Sequence, residues 1–511
     1  MKMLKRITFI FVVGILSLVL LFFIGVFWPK TAVKPVVSNE PYIIKNINIV
    51  DIENDALVLS KSILIEQGKI KSILDSSQLA VHQAMAKTKM IDGDGQYLMP
   101  SLWDMHAHVF KTSPKLELPL YIAYGVTNVR DMTGCPKNDD PFIACTSDKR
   151  RWTQQANDGL IVGPRIVSSA SFMVNGPSML DRMPNLPEYF GAATQELARE
   201  FVRQHAGKVD AIKIYNNIPR ESYFALADEA RRLGVTLIGH RPHAVRAIEA
   251  AQHQKSIEHA RFILHESFSG SDHLRSVAGT HEWREDRRRM VDEHDPGKAQ
   301  AIFEAMKAAG TWYVPTHLTR HVDAYADDPR ILDDPLLDYL HPLMYWQWLE
   351  DVNKVVDSDP SPKARQAYRD FYKKGLALTY QAHRAGVKVL LGTDYLIGGP
   401  TAHQELEQLV MAGLSPADAL RAATISAAEY YGLEDQFGAV KAGMIADLVI
   451  LRKNPLEDIR ASRSIAAVVF GGNYYDRSAL DGISEHVRSR ARSWAVGCQI
   501  LWEFIKSPVN Y

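Results

Sequence analysis

The chain has 511 residues, 46% of them hydrophobic, and its 59 basic and 59 acidic residues give a formal net charge of zero. A balanced charge provides no strong field to recruit nucleic acid, so nucleic acid is disfavoured as a partner. The length exceeds that of one ordinary domain and suits a large barrel with a smaller second domain.

The first 28 residues have the pattern of a membrane anchor. Three basic residues precede an uncharged segment from Ile7 to Trp28, which as a helix is roughly 33 Å long and long enough to cross a bilayer. The segment is longer than most signal-peptide cores and no small-residue cleavage site follows, which favours an uncleaved signal anchor over a cleaved signal peptide. The basic N-terminal side predicts a single-pass membrane protein with an extracytoplasmic, periplasmic body beyond a linker at residues 29–41.

Short strands are predicted on both sides of a central region. Residues 42–99 contain Ile-rich runs around a turn at Gly68, and residues 436–480 return to the same character. The simplest arrangement pairs both segments in one small domain, predicted as a β-sandwich. Residues 481–511 form an amphipathic helical tail with Trp494, Trp502 and Phe504. The sequence leaves open whether this tail packs on the body, joins a partner subunit in a homo-oligomer or contacts the membrane surface.

Residues 100–435 alternate short β-rich runs with helical stretches, which is the pattern of parallel strands joined by helices. Seven such runs and the segment leading into His106 make eight strands, which predicts the α/β class and a (β/α)8 TIM barrel. Two long intervals, 261–309 and 320–376, follow strands and would lie over the mouth of an active site. The seven runs are Val126–Asp131, Arg165–Ala170, Ala211–Tyr215, Thr236–His240, Ser256–His259, Trp312–Pro315 and Lys388–Asp394.

The three cysteines form no zinc-binding pattern. In an oxidising compartment, Cys135 and Cys145 would close a short disulfide loop. Two free thiols in a surface loop are equally compatible with the sequence.

The motif His106-Ala107-His108 places two imidazoles on the same side of an extended segment, where one metal ion can bind both. With 18 histidines in 511 residues, roughly 0.6 such spacings are expected by chance, so the motif alone is weak. His240, His259 and Asp394 also end predicted strands. Because active sites of barrels lie at that rim, the whole set predicts a site there.

Lys213 lies in the apolar run AIKIY near the end of the fourth predicted strand. A charge at such a place is costly unless it is paired or neutralised. One interpretation is a structural ion pair. The other is a carbamate formed with CO2, which converts the cation into an anion able to bridge two metals.

Together these features resemble the amidohydrolase superfamily, in the branch of imidazolonepropionase-like proteins, Xaa-Pro dipeptidases and N-acyl amino acid hydrolases. The resemblance covers most of the chain after the anchor. It rests on the HAH motif, the Lys and His strand ends, GTD, and the segments SILIEQGKIKSI, GVTNVRDM, LSPADALRAATISAAEYYGL and GAVKAGMIADLVIL.

The resemblance implies two divalent metal ions, zinc or alternatively manganese or cobalt. The ions would share a hydroxide that attacks a carbonyl, and Asp394 would carry the proton to the leaving amine. The implied ligands are His106, His108 and Asp394 for one ion, His240 and His259 for the other, and a carbamate on Lys213 as the bridge.

Two departures from the family pattern concern the substrate. Related deaminases have Glu three residues after the fifth-strand histidine, where this chain has His243, so deamination is disfavoured. The stretch ASFMVNGPSM lacks the Gly-Gly-His of related dipeptidases, so carboxylate recognition cannot be copied from that element. Four residues at or beyond strand ends are candidates for substrate binding or for packing: Tyr215 and His317 beside the carbonyl oxygen, Arg241 for a carboxylate, and His243.

The predicted function is hydrolysis of a carbon–nitrogen bond in a small molecule such as a dipeptide, an N-acyl amino acid or a cyclic amide. Hydrolysis of an ester, lactone or organophosphate at the same metal pair is the alternative enzyme. A catalytically silent binding protein displayed on a membrane is the alternative of another class, which the presence of all six metal-site residues disfavours.

Overall fold

The computed structural model describes residues 2–29, 32–38, 40–77, 88–137, 139–177, 189–280 and 283–507. All statements on the structure below refer to these residues. Residues 30, 31 and 39 of the predicted linker and residues 508–511 of the predicted tail lie outside the described residues, as do 178–188 after the third predicted barrel strand.

The strands fall into an early group, a central group and a late group. In chain order they are β1 (Tyr42–Asp51), β2 (Ala56–Glu66), β3 (Lys69–Asp75), β4 (Lys89–Asp92), β5 (Tyr97–Pro100), β6 (Leu102–Ala107), β7 (Val126–Asp131), β8 (Arg165–Ser169), β9 (Ala211–Ile214), β10 (Thr236–Gly239), β11 (Ser256–Glu258), β12 (Trp312–Val314), β13 (Leu448–Leu451), β14 (Ile465–Phe470) and β15 (Asn473–Asp476).

The helices lie mainly between the central strands and after them. They are α1 (Lys2–Val26), α2 (Glu117–Ala123), α3 (Thr146–Asn157), α4 (Gln195–His205), α5 (Arg220–Leu233), α6 (Ala247–Ala250), α7 (Arg261–Glu266), α8 (Ser271–Ser276), α9 (Arg287–Asp292), α10 (Pro296–Ala309), α11 (His317–Ala324), α12 (Pro329–Leu332), α13 (Pro342–Ser358), α14 (Pro362–Arg384), α15 (Pro400–Ala412), α16 (Pro416–Ala422), α17 (Ile425–Tyr431), α18 (Arg477–Ala491) and α19 (Trp494–Lys506).

Several helices begin where a capping side chain precedes a proline. Asp295 accepts from the backbone N–H groups at the start of α10, and Ser361 and Ser415 do the same for α14 and α16. Such a cap satisfies an N–H that has no partner inside the helix, and proline is favoured at the first helical position because it lacks that N–H. Gly310, with a φ of 70°, then ends α10 in the left-handed conformation.

The early and late strands form one small sheet. Its order is β15-β14-β13-β5-β1-β2-β3, with β4 also paired with β1, and the antiparallel pair of β13 with β5 joins the two segments as predicted. Because β1 pairs with β2 on one side and with both β4 and β5 on the other, the hydrogen bonds run without interruption. The structure therefore joins the two segments in one eight-stranded hydrogen-bonded sheet, and the sandwich arrangement stays a prediction.

The central strands form two parallel sheets, β6-β7-β8 and β12-β11-β10-β9. Seven of the eight predicted central strands are therefore present. The sheets are joined where Ser171 N, just beyond β8, donates to Ala211 O of β9 at 2.8 Å.

The eighth predicted run, Lys388–Asp394, is extended but is not a regular strand. Its hydrogen bonds are divided between two neighbours: Leu390 N donates to Tyr313 O of β12, and Met105 N of β6 donates to Leu391 O, both at 2.9 Å. The buried Asp104 of β6 adds a side-chain link, since it accepts from Thr393 N at 3.0 Å and from Thr393 Oγ1 at 2.7 Å.

The N-terminal helix and the C-terminal tail lie outside these sheets. The stretch Met3–Val26 of α1 has a mean hydropathy of 3.1 and is exposed over most of its length, with Gly25 and Val26 buried at its end, so it is long and apolar enough to cross a membrane. A signal sequence near the N-terminus has the same properties. In the tail, α18 packs on α2 and α19 packs on α1.

Cys135 and Cys145 form a disulfide with Cα atoms 4.8 Å apart. Of the two possibilities that the sequence left open, the structure has the closed loop. This loop follows β7 and lies beside Thr133, a residue of the site described next.

Candidate metal centre

The residues that follow the parallel strands converge on one point. His108 Nε2 lies 2.9 Å and His106 Nε2 lies 3.3 Å from Asp394 Oδ1, while His259 Nδ1 lies 3.5 Å from Asp394 Oδ2. His106, His259 and Asp394 each offer a ligand atom, and these atoms lie within 4.8 Å of one another. This spacing suits the donors of a single metal ion.

His240, after β10, joins the group through its neighbour. Its Nε2 atom lies 3.0 Å from Nε2 of His259. Burial lowers the pKa of both side chains well below the usual value, and nearby cationic groups, among them Arg261, add to the shift. Both imidazoles are therefore neutral, which is the form that binds metal.

In all four histidines, Nδ1 lies within hydrogen-bond distance of a side-chain oxygen. A histidine whose Nδ1–H donates to such an oxygen keeps the Nε2 lone pair for a metal. The partners come from several different strand ends, so the ring orientations depend on the whole set of strands. The pairs are His106 with Glu258 (3.0 Å), His108 with Thr133, His240 with Asn216 (2.5 Å), and His259 with Thr316 (2.8 Å).

Three non-glycine residues of the site have a left-handed backbone. The φ angles are 70° for His259, 47° for Thr316 and 50° for Asp394. This conformation costs about 1–2 kcal/mol for an ordinary L-residue. Such strain is concentrated at functional sites because it aims a side chain where a regular strand would not.

Lys213 lies on β9 and is 3% exposed. Its backbone N–H donates to Ser171 Oγ at 3.1 Å, but within the described part of the chain its Nζ has no hydrogen-bond or ion-pair partner. Burial lowers the pKa of the amine, although the negative charges of Asp394 and Glu258 oppose the shift. The ion-pair interpretation of Lys213 thus lacks a partner among the described residues.

A buried ion pair that sequence reasoning missed supports His106. Both Glu258 oxygens accept from Nη2 of Arg130, at 2.8 and 2.9 Å, and Oε1 also accepts from Ser256 Oγ at 2.6 Å. Burial alone would raise the pKa of Glu258, but Arg130 and His106 hold it below its usual value. The carboxylate is therefore ionised and fixes His106.

Of two further predicted substrate contacts, Tyr215 lies beside a site histidine and His317 is held by α14. The Tyr215 ring centroid is 4.5 Å from that of His240. His317 is buried, its Nε2 lies 2.9 Å from Thr379 Oγ1, and burial lowers its pKa to about 3. His317 is therefore a neutral side chain tied to α14.

The other two predicted contacts are engaged with protein groups. Nη1 of the buried Arg241 donates to three backbone carbonyls and to Glu266 Oε1 at 3.3 Å. His243 stacks on Trp283, with ring centroids 4.1 Å apart. These contacts agree with the packing alternative, and substrate binding by either residue stays a prediction.

A cleft of about 450 Å³ opens beside His108 and Asp394. One wall comes from α13, in the second long interval, so that interval lies over the site as predicted. Apolar and charged side chains share the lining: Phe110, Thr319, Arg320, Val322, Asp323, Ala326, Trp348, Asp351, Val352, Val355, Tyr395 and Leu396.

Two arginines lie close to the converging residues. Arg320 lines the cleft and pairs with Asp323 at 2.5 Å. Arg261, at the start of α7, has its Nη2 atom 3.4 Å from His240 Nδ1 and has no carboxylate partner within the described residues. Burial, together with the charge of Arg320, lowers the pKa of Arg261 to about 10.

A model of the amidohydrolase family matches residues 97–474, which include every converging side chain. The chain belongs to the amidohydrolase family. This assignment confirms the family inferred from the sequence and supports a hydrolase. Divalent metal ions are general in this family, and the group of His106, His259 and Asp394 fits that property.

Curated relatives match only parts of this amidohydrolase. Ochratoxinase of Aspergillus niger is 34% identical over 129 residues, which are 24% of this chain and 26% of that enzyme. Imidazolonepropionase of Symbiobacterium thermophilum is 41% identical over 70 residues, 13% of this chain and 16% of that enzyme. The match thus spans about a quarter or less of the length of these relatives.

Solved structures match over a much larger part. A bottromycin amidohydrolase superposes with a TM-score of 0.63 at 21% identity, covering 88% of this chain and 90% of that one. A Xaa-Pro dipeptidase gives a TM-score of 0.57 at 20% identity, covering 85% and 100%. At these identities the likeness shows a shared α/β fold.

Replacing Glu258 with Gln in this amidohydrolase tests how His106 is held. The change leaves Arg130 as an unpaired buried cation, so we expect a loss of roughly 3–5 kcal/mol in the free energy of unfolding. We also expect metal affinity to fall about 10–100-fold, because the orienting partner of His106 is weakened. Thermal unfolding and metal titration measure the two effects. Glu221→Gln, at an exposed position on α5, is the control, and unchanged metal affinity in E258Q would refute the orienting role.

Proposed function

We propose that this amidohydrolase cleaves the amide bond of a small substrate with two divalent metal ions bound at the strand ends. The observation that carries the proposal is the arrangement of the four histidines, whose Nδ1 atoms are held by side-chain oxygens while their Nε2 atoms meet Asp394 or one another. Structural histidines seldom point several lone pairs at one place without a cation.

The donors fit divalent ions. Nε2 of His106 is fully buried and makes no hydrogen bond, a condition that a metal bond would relieve. Nitrogen and carboxylate donors suit zinc, with manganese or cobalt as substitutes. The ligands we propose are His106, His108 and Asp394 for one ion, His240 and His259 for the other, and a carbamate on Lys213 between them.

Bound divalent ions would supply Lewis acidity, which lowers the pKa of water and polarises a carbonyl. In this proposal Asp394 accepts a proton and later donates it to the leaving amine. Burial alone would raise the pKa of Asp394, but His106, His108 and Lys213 hold it well below the usual range. The carboxylate is thus ionised in the metal-free chain, which is the form that binds a divalent ion.

We further propose that the two parallel sheets and the segment Lys388–Asp394 form a (β/α)8 barrel. The hydrogen bonds from β8 to β9, and from this segment to β12 and β6, support it. The domain limits that we propose are those predicted from the sequence, a barrel at 100–435 and a β domain at 42–99 with 436–480.

We propose that α1 is an uncleaved anchor, with the body in the periplasm. The mean hydropathy of 3.1 supports a membrane span. The disulfide between Cys135 and Cys145 supports an oxidising compartment.

The substrate class that we propose carries a carboxylate near the scissile bond, as a dipeptide or an N-acyl amino acid does. Arg261 supports it, because a largely buried guanidinium with no carboxylate partner in the described part of the chain is costly unless an anion binds it. Arg320 lies on the cleft wall, but Asp323 already pairs with it. Arg241 is less suited to this role, since Glu266 already pairs with it.

The test is to measure the metal content of the full-length protein in detergent, together with hydrolysis of dipeptides, N-acyl amino acids and their carboxamide counterparts. We expect about two divalent ions per chain, amide cleavage, and a preference for the free acid of about 10-fold or more.

Each alternative function has its own outcome in this experiment. If two ions are bound but only esters or lactones are cleaved, the substrate is an ester or a lactone and the amide proposal is wrong. Absence of bound metal after reconstitution would favour the silent binding protein. Equal cleavage of acids and carboxamides would refute the carboxylate assignment to Arg261 while leaving the amidase proposal intact.

A further inference from the structure

The last helix of the described residues, α19, has an apolar face that is about half exposed. Trp494 is 52% exposed, Leu501 40%, Phe504 42% and Ile505 45%. The opposite face is buried, and the acidic Glu503 is turned towards Lys115, at 3.8 Å. A soluble helix normally presents charged side chains to water, so this face indicates a contact other than water.

This face is continuous with α1. Gly25 of α1 faces α19 so closely that a Cβ atom there would lie 2.5 Å from the Trp494 ring and 2.7 Å from Cys498 Sγ. At the other end of the contact, Phe23 meets Trp502 with ring centroids 5.5 Å apart. The two helices are therefore neighbours with opposite chain directions, and their contact is confined to the last turns of α1.

The aromatic rings are grouped where α1 ends. Trp28 lies 6.0 Å from Trp494 between ring centroids, and Phe22 lies 6.3 Å from Trp502. Tryptophan is enriched where the hydrocarbon of a bilayer meets water, because its ring is apolar and its N–H is polar. Lys506, 5.3 Å above the Trp502 ring, is a cation of the kind that reaches lipid headgroups from such a position.

We propose that α19 lies in the interfacial layer of the bilayer, with Leu501, Phe504 and Ile505 in contact with lipid. The proposal rests on the anchor proposed for α1 and adds a second membrane contact. The body is then held at two places: α1 restrains its distance from the membrane, and α19 restrains its orientation. Phe504 continues the contact into the body, since its ring centroid is 5.4 Å from that of Phe142.

A bilayer explains this surface better than a second copy of the chain does. The exposed face of α19 adjoins exposed side chains of α1 that run on for a further nineteen residues from Met3 to Leu21, and lipid covers both without a break. A second copy of the chain bound to α19 would cover only part of this continuous apolar surface, because lipid surrounds the adjoining part of α1.

The test uses the full-length chain in vesicles of phosphatidylethanolamine and phosphatidylglycerol. Cys498, the free cysteine of the described chain, is replaced by Ala, and a spin label is attached at Ile505→Cys. The control places the label at Leu197→Cys on α4, a position of similar exposure at 49%. Electron paramagnetic resonance then compares access of oxygen, which partitions into lipid, with access of a water-soluble nickel chelate.

We expect the label at 505 to lose nickel access and gain oxygen access, and the label at 197 to show the reverse. Equal nickel access at both positions overturns the proposal. Spin–spin broadening at 505 assigns the surface to a second copy and overturns it as well. Leu501→Cys is the second variant if I505C does not fold. Failure of the full-length chain to float with vesicles refutes the anchor and α19 contact together, while amide hydrolysis, measured on the same sample, reports on the proposed reaction separately.

Discussion

Asp394→Asn is expected to lower kcat by about 10²–10⁴-fold, since an amide cannot accept the proton that the carboxylate accepts. The variant suits the test because Asp394 has a φ of 50°, and asparagine tolerates the left-handed conformation as well as aspartate does. The fold should therefore survive the change. Steady-state kinetics, metal analysis and thermal unfolding on one preparation separate a lost proton carrier from a lost ligand.

Asp272→Asn provides the control for that experiment. Its carboxylate is on the surface, where it pairs with Arg275, and the substitution should leave kcat unchanged. An Asp394→Asn enzyme with wild-type kcat would exclude Asp394 as the proton carrier. A variant that loses turnover but retains both metals would favour that role over a purely structural one.

Lys213→Ala is expected to reduce the metal content from about two ions per chain to about one or fewer, because a bridging anion is removed. The substitution also leaves a cavity where the buried side chain was. A short carboxylic acid such as acetate or propionate can enter this cavity and replace the carbamate, so added acid should restore part of the metal and of the activity.

Lys213→Met separates the effect of losing the amine from the effect of losing the volume of the side chain. Methionine fills about the same space without a group that can form a carbamate, so this variant should lose metal as the Ala variant does but should not respond to added acid. Metal analysis with and without acid measures both. If either variant retains two ions, Lys213 is not the bridge.

The convergence of the strand-end residues was predictable from the sequence because each lies at a recognisable place in a repeated pattern. Alternation in a strand puts His106 and His108 on one side, and parallel strands bring their carboxyl ends to one rim. The helix–strand alternation also identified seven central strands, and the similar strand character of the two terminal β segments predicted their pairing. The eighth run was harder, since it makes only a few backbone hydrogen bonds to β12 and to β6, too few for a regular strand.

The partners of the histidines could not be predicted, because nothing local in the sequence indicates them. Glu258 meets His106 across 152 residues, and Thr316 meets His259 across 57. Glu258 directly precedes His259, which is a usable signal only once the strand order is known. The contact of α19 with α1 joins distant parts of the chain. The sequence shows that both helices are apolar, but no motif indicates that they pack together.

The reliance of each histidine on a different strand end has a consequence for how the protein matures. His108 and Asp394 are separated by 286 residues, so neither a nascent chain nor a partly folded one contains the binding site. For the proposed metal site, loading would therefore follow the assembly of the parallel strands, and the ions would come from the compartment where folding finishes. Once bound, they stabilise only the completed fold, so a chain that folds without metal is left with a smaller margin against unfolding and proteolysis.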